Sequence, residues 1–308
     1  MSDRVLRSLP LALIALLGLA LRIYHIADRP MHADEANQGV KTGELLEHGN
    51  YAFDPLDHHG PVLYYAALPL AWFRGERTLS NLSESTLRLV PALAGTVAIL
   101  LLACLSAPLG RWPALAAAAF LATCPPAVYY SRYFIQETLL LTFTLGAFVS
   151  FRHWWRSGAL TWSVATGVCG GLAIATKASA PVFLIVGLGA FLTTRPVRAQ
   201  SIRPWRDFMI PATFAIIIAA TFYSSFGSHW SGLVDAVKVY GLAAKRVTRL
   251  SGHEKSWWYY FRLFGWHHEG GLLWQQLGFS ALALGGFLLA IVGRAPRIAK
   301  DDLAQKTE

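Results

Sequence analysis

Eight apolar stretches, residues 9–26, 89–108, 112–129, 134–151, 158–176, 179–194, 207–225 and 271–292, recur along this 308-residue chain. Each approaches the ~20 residues that a helix needs to cross a bilayer. The 179–194 stretch is short and borrows from its flanks. Glycine and proline inside these stretches are tolerated, because neighbouring groups in a membrane bundle re-satisfy the backbone. Only 15% of residues are charged and mean hydropathy is +0.40, where a soluble domain carries about 25% charge. The pattern predicts an all-α, polytopic membrane protein of about eight transmembrane helices, with residues 1–308 forming a single integral membrane domain. The first run, Leu9 to Ile26, is long for a signal-peptide core and no small-x-small site follows it, which predicts an uncleaved first span.

One apolar segment, 61–74, is too short to span comfortably, and charge arbitrates its fate. If it does not cross, then Arg111, Arg152, Arg156, Arg195, Arg198, Arg203, Arg206, Arg294, Arg297 and Lys300 all fall on the side of the N-terminus. The positive-inside rule makes that side cytoplasmic. The expectation is therefore eight spans in the plasma (inner) membrane, both termini cytoplasmic, and 61–74 lying against the membrane surface. The loop 226–270 then sits outside with six Lys or Arg, and the rule is weak for long loops. The net charge of +9 follows from these loops and does not point to nucleic acid. The three cysteines lie in apolar runs without metal-ligand spacing.

This topology gathers four polar features at the outer face: the first outer loop 27–88, the turn Arg132–Glu137, Lys177, and the second outer loop 226–270. Within the first loop, 33–48 reads as a helix with Asp34 and Glu35 in its first turn. Acids there complement the helix dipole; a carboxylate at the membrane surface also suits a general base or a metal ligand. The turn Asp57-His58-His59-Gly60-Pro61 offers imidazoles for a cation or a phosphate, or is a solvated turn. Glu137 opens an apolar helix, where a buried charge is costly. Lys177 is the lone charge between Ser157 and Thr194, suited either to a lipid phosphate or to snorkelling toward headgroups. In the second loop, Trp230, Leu233, Val237, Tyr240, Ala244 and Val247 recur at helical spacing, with Lys238, Lys245, Arg246 and Arg249 largely off that stripe. That pattern predicts an amphipathic helix touching anionic membrane lipids.

Taken in order, four pieces carry a resemblance: His32-Ala33-Asp34-Glu35; His59-Gly60-Pro61-Val62-Leu63-Tyr64-Tyr65; Tyr130 to Glu137; and Thr176-Lys177. Over residues 10–190 the chain resembles the GT-C membrane glycosyltransferases, and within them glycosyltransferase family 39, which includes protein O-mannosyltransferases and the lipid A aminoarabinose transferase. The resemblance implies transfer of a sugar, with inversion, from a polyprenyl-phosphate carrier to a lipid, glycan or protein hydroxyl at the outer face. It implies Asp34 as catalytic base with Glu35 beside it and Glu137 as the second acid. It also implies Lys177, Arg132 and His59 at the lipid phosphate, and a divalent metal cation, if one is used, at His59 and Glu137. The second acid is usually Asp in the family. Relatives also run to more spans and often a soluble C-terminal domain, so acceptor recognition here is expected to be reduced or supplied by a membrane partner subunit. The alternative reading is a non-catalytic, carrier-binding component of polysaccharide or glycolipid export. A transporter would instead place charges near the bilayer midplane.

Overall fold

The computed structural model describes residues 3–56, 59–105, 110–194, 204–248, 256–269, 272–275 and 277–291. The chain expected as one domain over 1–308 packs as two compact units, residues 1–243 and 244–308. The first holds α1 (Asp3–Ile23), α2 (Ala33–His48), α3 (Val62–Phe73), a 3-10 turn at Leu79–Asn81, α4 (Glu84–Ala103), α5 (Arg111–Thr123) and the short α6 (Pro125–Tyr130). These are followed by α7 (Glu137–Ser157), α8 (Leu160–Ile174), α9 (Ala180–Thr194), α10 (Pro204–Tyr223) and α11 (Ser231–Thr248), whose end passes the boundary. The second unit holds α12 (Tyr259–Phe264), an antiparallel hairpin of β1 (Trp266–Glu269) and β2 (Leu272–Gln275), and α13 (Leu277–Ile291).

A helix occupies each of the eight apolar stretches. By length and composition, α4 is the one described helix long and apolar enough to cross a membrane, and shorter apolar helices cover parts of α1, α3, α8, α9 and α10. The helical expectation holds apart from the hairpin. The hairpin also starts the last helix at Leu277 rather than at residue 271.

The bundle packs as two groups joined where α4 meets α7: α1, α4 and α5 contact one another, and α7, α8 and α10 follow in sequence. Small residues bring backbones together, as expected where lipid supplies no hydrophobic drive. A Cβ on Gly171 would stand 2.6 Å from the Ala215 carbonyl, and one on Gly167 2.4 Å from that of Pro211. Arg22, 1% exposed, donates to the carbonyls of Ala122 and Leu121 at 3.0 Å each. It thereby satisfies the end of α5 where the helix breaks ahead of Pro125.

The segment 61–74, expected to lie against the membrane surface, is covered by protein over much of its length. Val62, Leu63, Tyr64, Ala67, Leu68 and Ala71 of α3 are buried. All but Ala71 form one core with Leu45, Tyr51, Phe53, Leu87, Val90, Phe134, Leu139, Ala175 and Tyr223. Pro69 and the far end, Trp72 and Phe73, are open. An almost wholly apolar helix is buried on most sides, and composition alone does not distinguish a lipid cover from a protein one.

Candidate functional site

The site is built where the C-terminus of α1, the N-terminus of α4, the α6–α7 turn and the α8–α9 turn meet α2 and α3. Helix α2 starts with a reciprocal cap. The His32 ring accepts from the Asp34 N–H at 3.2 Å, and the Glu35 carboxylate accepts from the His32 N–H at 3.2 Å. The arrangement is a capping box with histidine in the place of the usual hydroxyl. It fixes adjacent carboxylates in opposite directions, because neighbouring residues on a helix do not share a face.

Glu35 points inward and is fully buried. Its Oε1 accepts from Arg88 Nε at 2.9 Å and the Phe134 N–H at 3.0 Å. Its Oε2 accepts from Arg88 Nη2 at 3.0 Å, Arg29 Nη2 at 2.8 Å and the His32 N–H. Burial pushes its pKa up, but the Arg88 bonds and the Phe134 and His32 N–H groups outweigh this and hold it below the usual carboxylate range. Arg88 is equally buried. It also donates to the carbonyls of Ile26 (2.9 Å), Arg29 (2.8 Å) and Pro30 (3.3 Å). This pair clamps the 26–30 connection and the start of α2 onto α4.

Asp34 points outward, with 68% of its side chain exposed and Oδ2 3.4 Å from His32 Nδ1. Deeper in α2, Gln38 accepts from Tyr64 Oη at 2.5 Å and from Gln136 Nε2 at 3.1 Å. That network ties α2 to α3 and to the turn before α7.

The remaining expected residues fall in two places. Arg132 donates to the carbonyls of Leu21 and His25 at 3.0 Å each. It therefore caps α1, with two of its five N–H donors engaged by backbone. His59 and Lys177 pair as a short antiparallel bridge, with the Gly60 N–H donating to the Thr176 carbonyl at 3.0 Å. Gly60 has no room for a side chain: a Cβ would lie 2.0 Å from the Ala175 carbonyl. Lys177 Nζ reaches Glu137 Oε1 at 2.5 Å, and both side chains are partly exposed. They line a groove of about 260 Å³ with Leu140, Leu141, Thr144, Ser179 and Phe183. The Glu137 Oε2 and Thr144 Oγ1 atoms are buried there without a hydrogen-bond partner.

The four sequence pieces thus form a chain of contacts: the first meets the third through Glu35 and Phe134, the third meets the fourth through Glu137 and Lys177, and the fourth meets the second through Thr176 and Gly60. Among the described residues, no hydrogen bond or ion pair joins Asp34 to Glu137 or Lys177. The cation expectation also lacks a full ligand set: among the described residues no three His, Cys, Asp or Glu side chains cluster tightly enough to hold a metal ion. Glu137 already faces an ammonium. Asp57, His58, Arg249, His253 and Glu254 lie outside the described residues, as do the side chains of Lys245 and Arg246.

Sequence reasoning overlooked Arg88, Arg29, Gln38 and Gln136. Arg88 carried a usable signal, a guanidinium one residue ahead of an apolar span. The glutamines carried none.

The sequence pattern of dolichyl-phosphate-mannose-protein mannosyltransferase matches residues 70–225. No curated protein matches significantly over its sequence. Among solved structures, the chain is similar to the S. cerevisiae protein O-mannosyltransferase Pmt1–Pmt2 complex bound to the sugar donor. The TM-score is 0.60 at 18% identity, over 76% of this chain and 35% of that one. It is also similar to the oligosaccharyltransferase AglB from Archaeoglobus fulgidus, in complex with an inhibitory peptide and a dolichol-phosphate. There the TM-score is 0.55 at 14% identity, over 94% of this chain and 37% of that one. A further A. fulgidus oligosaccharyltransferase structure, with Zn and sulfate, gives 0.54 at 14% identity, over 92% and 39% of the two chains. The chain spans little more than a third of the length of each of these proteins.

Proposed function

Since the chain belongs to the dolichyl-phosphate-mannose-protein mannosyltransferase family and has the GT-C fold, we propose that it transfers a sugar, with inversion, from a polyprenyl-phosphate carrier to a hydroxyl acceptor. The reaction takes place at the outer face of the plasma membrane, with both termini cytoplasmic. The acceptor is a lipid, glycan or protein, and a membrane partner subunit assists its recognition.

The observation that carries this reading is the division of labour between adjacent acids. Asp34 is open to solvent at a helix start held rigid from beneath, whereas Glu35 is saturated by buried donors. A base must be within hydrogen-bond reach of the proton it takes, and only the outward acid has room. In the proposed reaction, Asp34 accepts the proton of the acceptor hydroxyl while that oxygen attacks the anomeric carbon from the face opposite the phosphate. The bond between the anomeric carbon and the phosphate oxygen breaks, and its electron pair leaves with the polyprenyl phosphate. Glu35 is a positioning residue with Arg88.

The groove at Lys177 suits the carrier: an ammonium at the mouth for the phosphate and Leu140, Leu141 and Phe183 along the wall for the isoprenoid chain. Glu137 holds Lys177 there until the phosphate replaces one of its bonds. Arg132 acts by holding α1. His59 sets the backbone position of Lys177 through the bridge.

The test is transfer by the purified protein in nanodiscs, using radiolabelled polyprenyl-phosphate sugars and a panel of lipid, glycan and peptide hydroxyls. Transfer to one acceptor class supports the proposal. Binding of the carrier without transfer to any acceptor, also with co-expressed membrane partners present, would establish the export-component reading instead.

A further inference from the structure

Beside Asp34 lies an aromatic cluster that the base and the carrier groove do not use. Tyr129 and Tyr133 stack with ring centroids 5.8 Å apart and planes 24° from parallel. The Arg29 guanidinium lies 5.4 Å from the Tyr129 centroid and 4.7 Å from that of Tyr133, and its Nη1 donates to Tyr129 Oη at 3.3 Å. Arg29 is itself pinned to Glu35 and to the Arg132 carbonyl. The His32 ring stands 5.7 Å from Tyr133 and next to Asp34. Tyr129, Tyr133, His32 and Asp34 therefore form one continuous run of contacts.

Tyr133 is buried, while Tyr129 keeps 48% of its surface open. A tyrosine that merely belongs to an interfacial belt needs an apolar body in lipid and a wet hydroxyl. This one is held by a stacked ring, an edge contact from Tyr130 and a guanidinium. Its surroundings are polar: Arg29 against its ring, and His32 and Asp34 next along the same run of contacts, are exposed by a third or more. Such a rim is hostile to an alkyl chain. A pre-oriented aromatic surface bordered by carboxylate, imidazole and guanidinium suits a molecule with an apolar C–H face and a polar edge. A pyranose ring has that character, with axial C–H groups for the ring and vicinal hydroxyls for the charged groups.

We propose that Tyr129, backed by Tyr133 and framed by Arg29 and His32, is a pyranose-stacking subsite that presents a sugar hydroxyl to Asp34. The acceptor is accordingly a glycan or the sugar of a glycolipid rather than a protein side chain. The assignment rests on the transferase reading for the role of Asp34, but sugar binding is measurable without turnover.

The experiment is saturation-transfer NMR on the full chain in nanodiscs, with methyl α-D-mannopyranoside, methyl β-D-glucopyranoside and methyl β-D-galactopyranoside as probes and a serine- and threonine-containing peptide as comparison. Wild type should transfer saturation to the ring C–H protons of at least one glycoside. Tyr129→Ala should lower the signal about fivefold or more, the scale of one lost aromatic contact, and Tyr129→Phe should keep most of it. Thermal unfolding of Tyr129→Ala at the wild-type temperature would rule out misfolding as the cause. Absence of saturation for every glycoside, an unchanged signal in Tyr129→Ala, or Tyr129-dependent binding of the peptide alone would overturn the proposal. Glycoside binding in a protein that transfers nothing would leave the sugar subsite standing and overturn the transferase reading, and with it the presentation of a hydroxyl to Asp34.

Discussion

Replacing Arg88 by methionine tests the buried clamp most severely. The change removes both charge-assisted bonds to Glu35 and the bonds to the Ile26, Arg29 and Pro30 carbonyls. Glu35 keeps Arg29, the Phe134 N–H and the His32 N–H, but Arg29 is partly exposed, so the carboxylate is left under-compensated in the interior. Breaking a fully buried pair from one side costs ~3–5 kcal/mol, and methionine fills much of the volume, so little of that loss is a cavity. The assay is reversible chemical unfolding in mixed micelles, run as a cycle with Glu35→Leu and the double variant. Arg88→Met should lose most of this amount. The double variant, with neither charge left, should recover a large part of it, and the coupling between the sites should exceed ~1 kcal/mol. Transfer should stay low even in the recovered double variant, because the 26–30 connection that orients Asp34 is no longer tied to α4. A loss below ~1 kcal/mol for Arg88→Met would refute the clamp, since it would place the guanidinium where water compensates it.

Other perturbations give independent readings. Glu35 has a folded pKa below its unfolded one, so its contribution is present above the ordinary carboxylate range and is lost as pH falls through the lower folded value. Unfolding free energy should therefore drop more steeply with acidification below about pH 4.5 in wild type than in Glu35→Gln. Gly60→Ala, whose Cβ would meet the Ala175 carbonyl at 2.0 Å, should cost ~1–3 kcal/mol by overpacking, measured by the same unfolding. Lys177→Met should weaken binding of an undecaprenyl phosphate probe about tenfold or more, the worth of one charge-assisted bond. Glu137→Gln should strengthen it by freeing Lys177 from its ion pair. Equal affinities in all three proteins would remove the carrier from this groove.

Much of the fold was readable because bilayer thickness imposes a length and composition that recur without long-range information. The eight apolar stretches and the α2 helix over 33–48 follow from local pattern, and α2 from its acidic first turn as well. The burial of α3 was not readable. Whether its apolar faces meet lipid or Tyr51, Phe53 and Tyr223 depends on segments far away in sequence. The same limit explains the site. Asp34 and Glu35 are chemically alike and adjacent, and only their partners on α4 and the turn before α7 make one a base candidate and the other an anchor. The role of Arg132 in capping the end of α1 was equally hidden. A guanidinium pairs with a carbonyl as readily as with an anion, and its sequence does not say which is near.

The two acids of α2 act differently, and one paired measurement addresses that difference. Initial transfer rates and unfolding free energies would be taken together for Asp34→Asn and Glu35→Gln in the same nanodiscs. Asp34→Asn should unfold within about 0.5 kcal/mol of wild type, as exposed substitutions do, and lose transfer by roughly 100-fold or more, the scale of general-base catalysis. Glu35→Gln should be clearly destabilised. Transfer by Asp34→Asn within tenfold of wild type, with the protein folded, would contradict the assignment of the base.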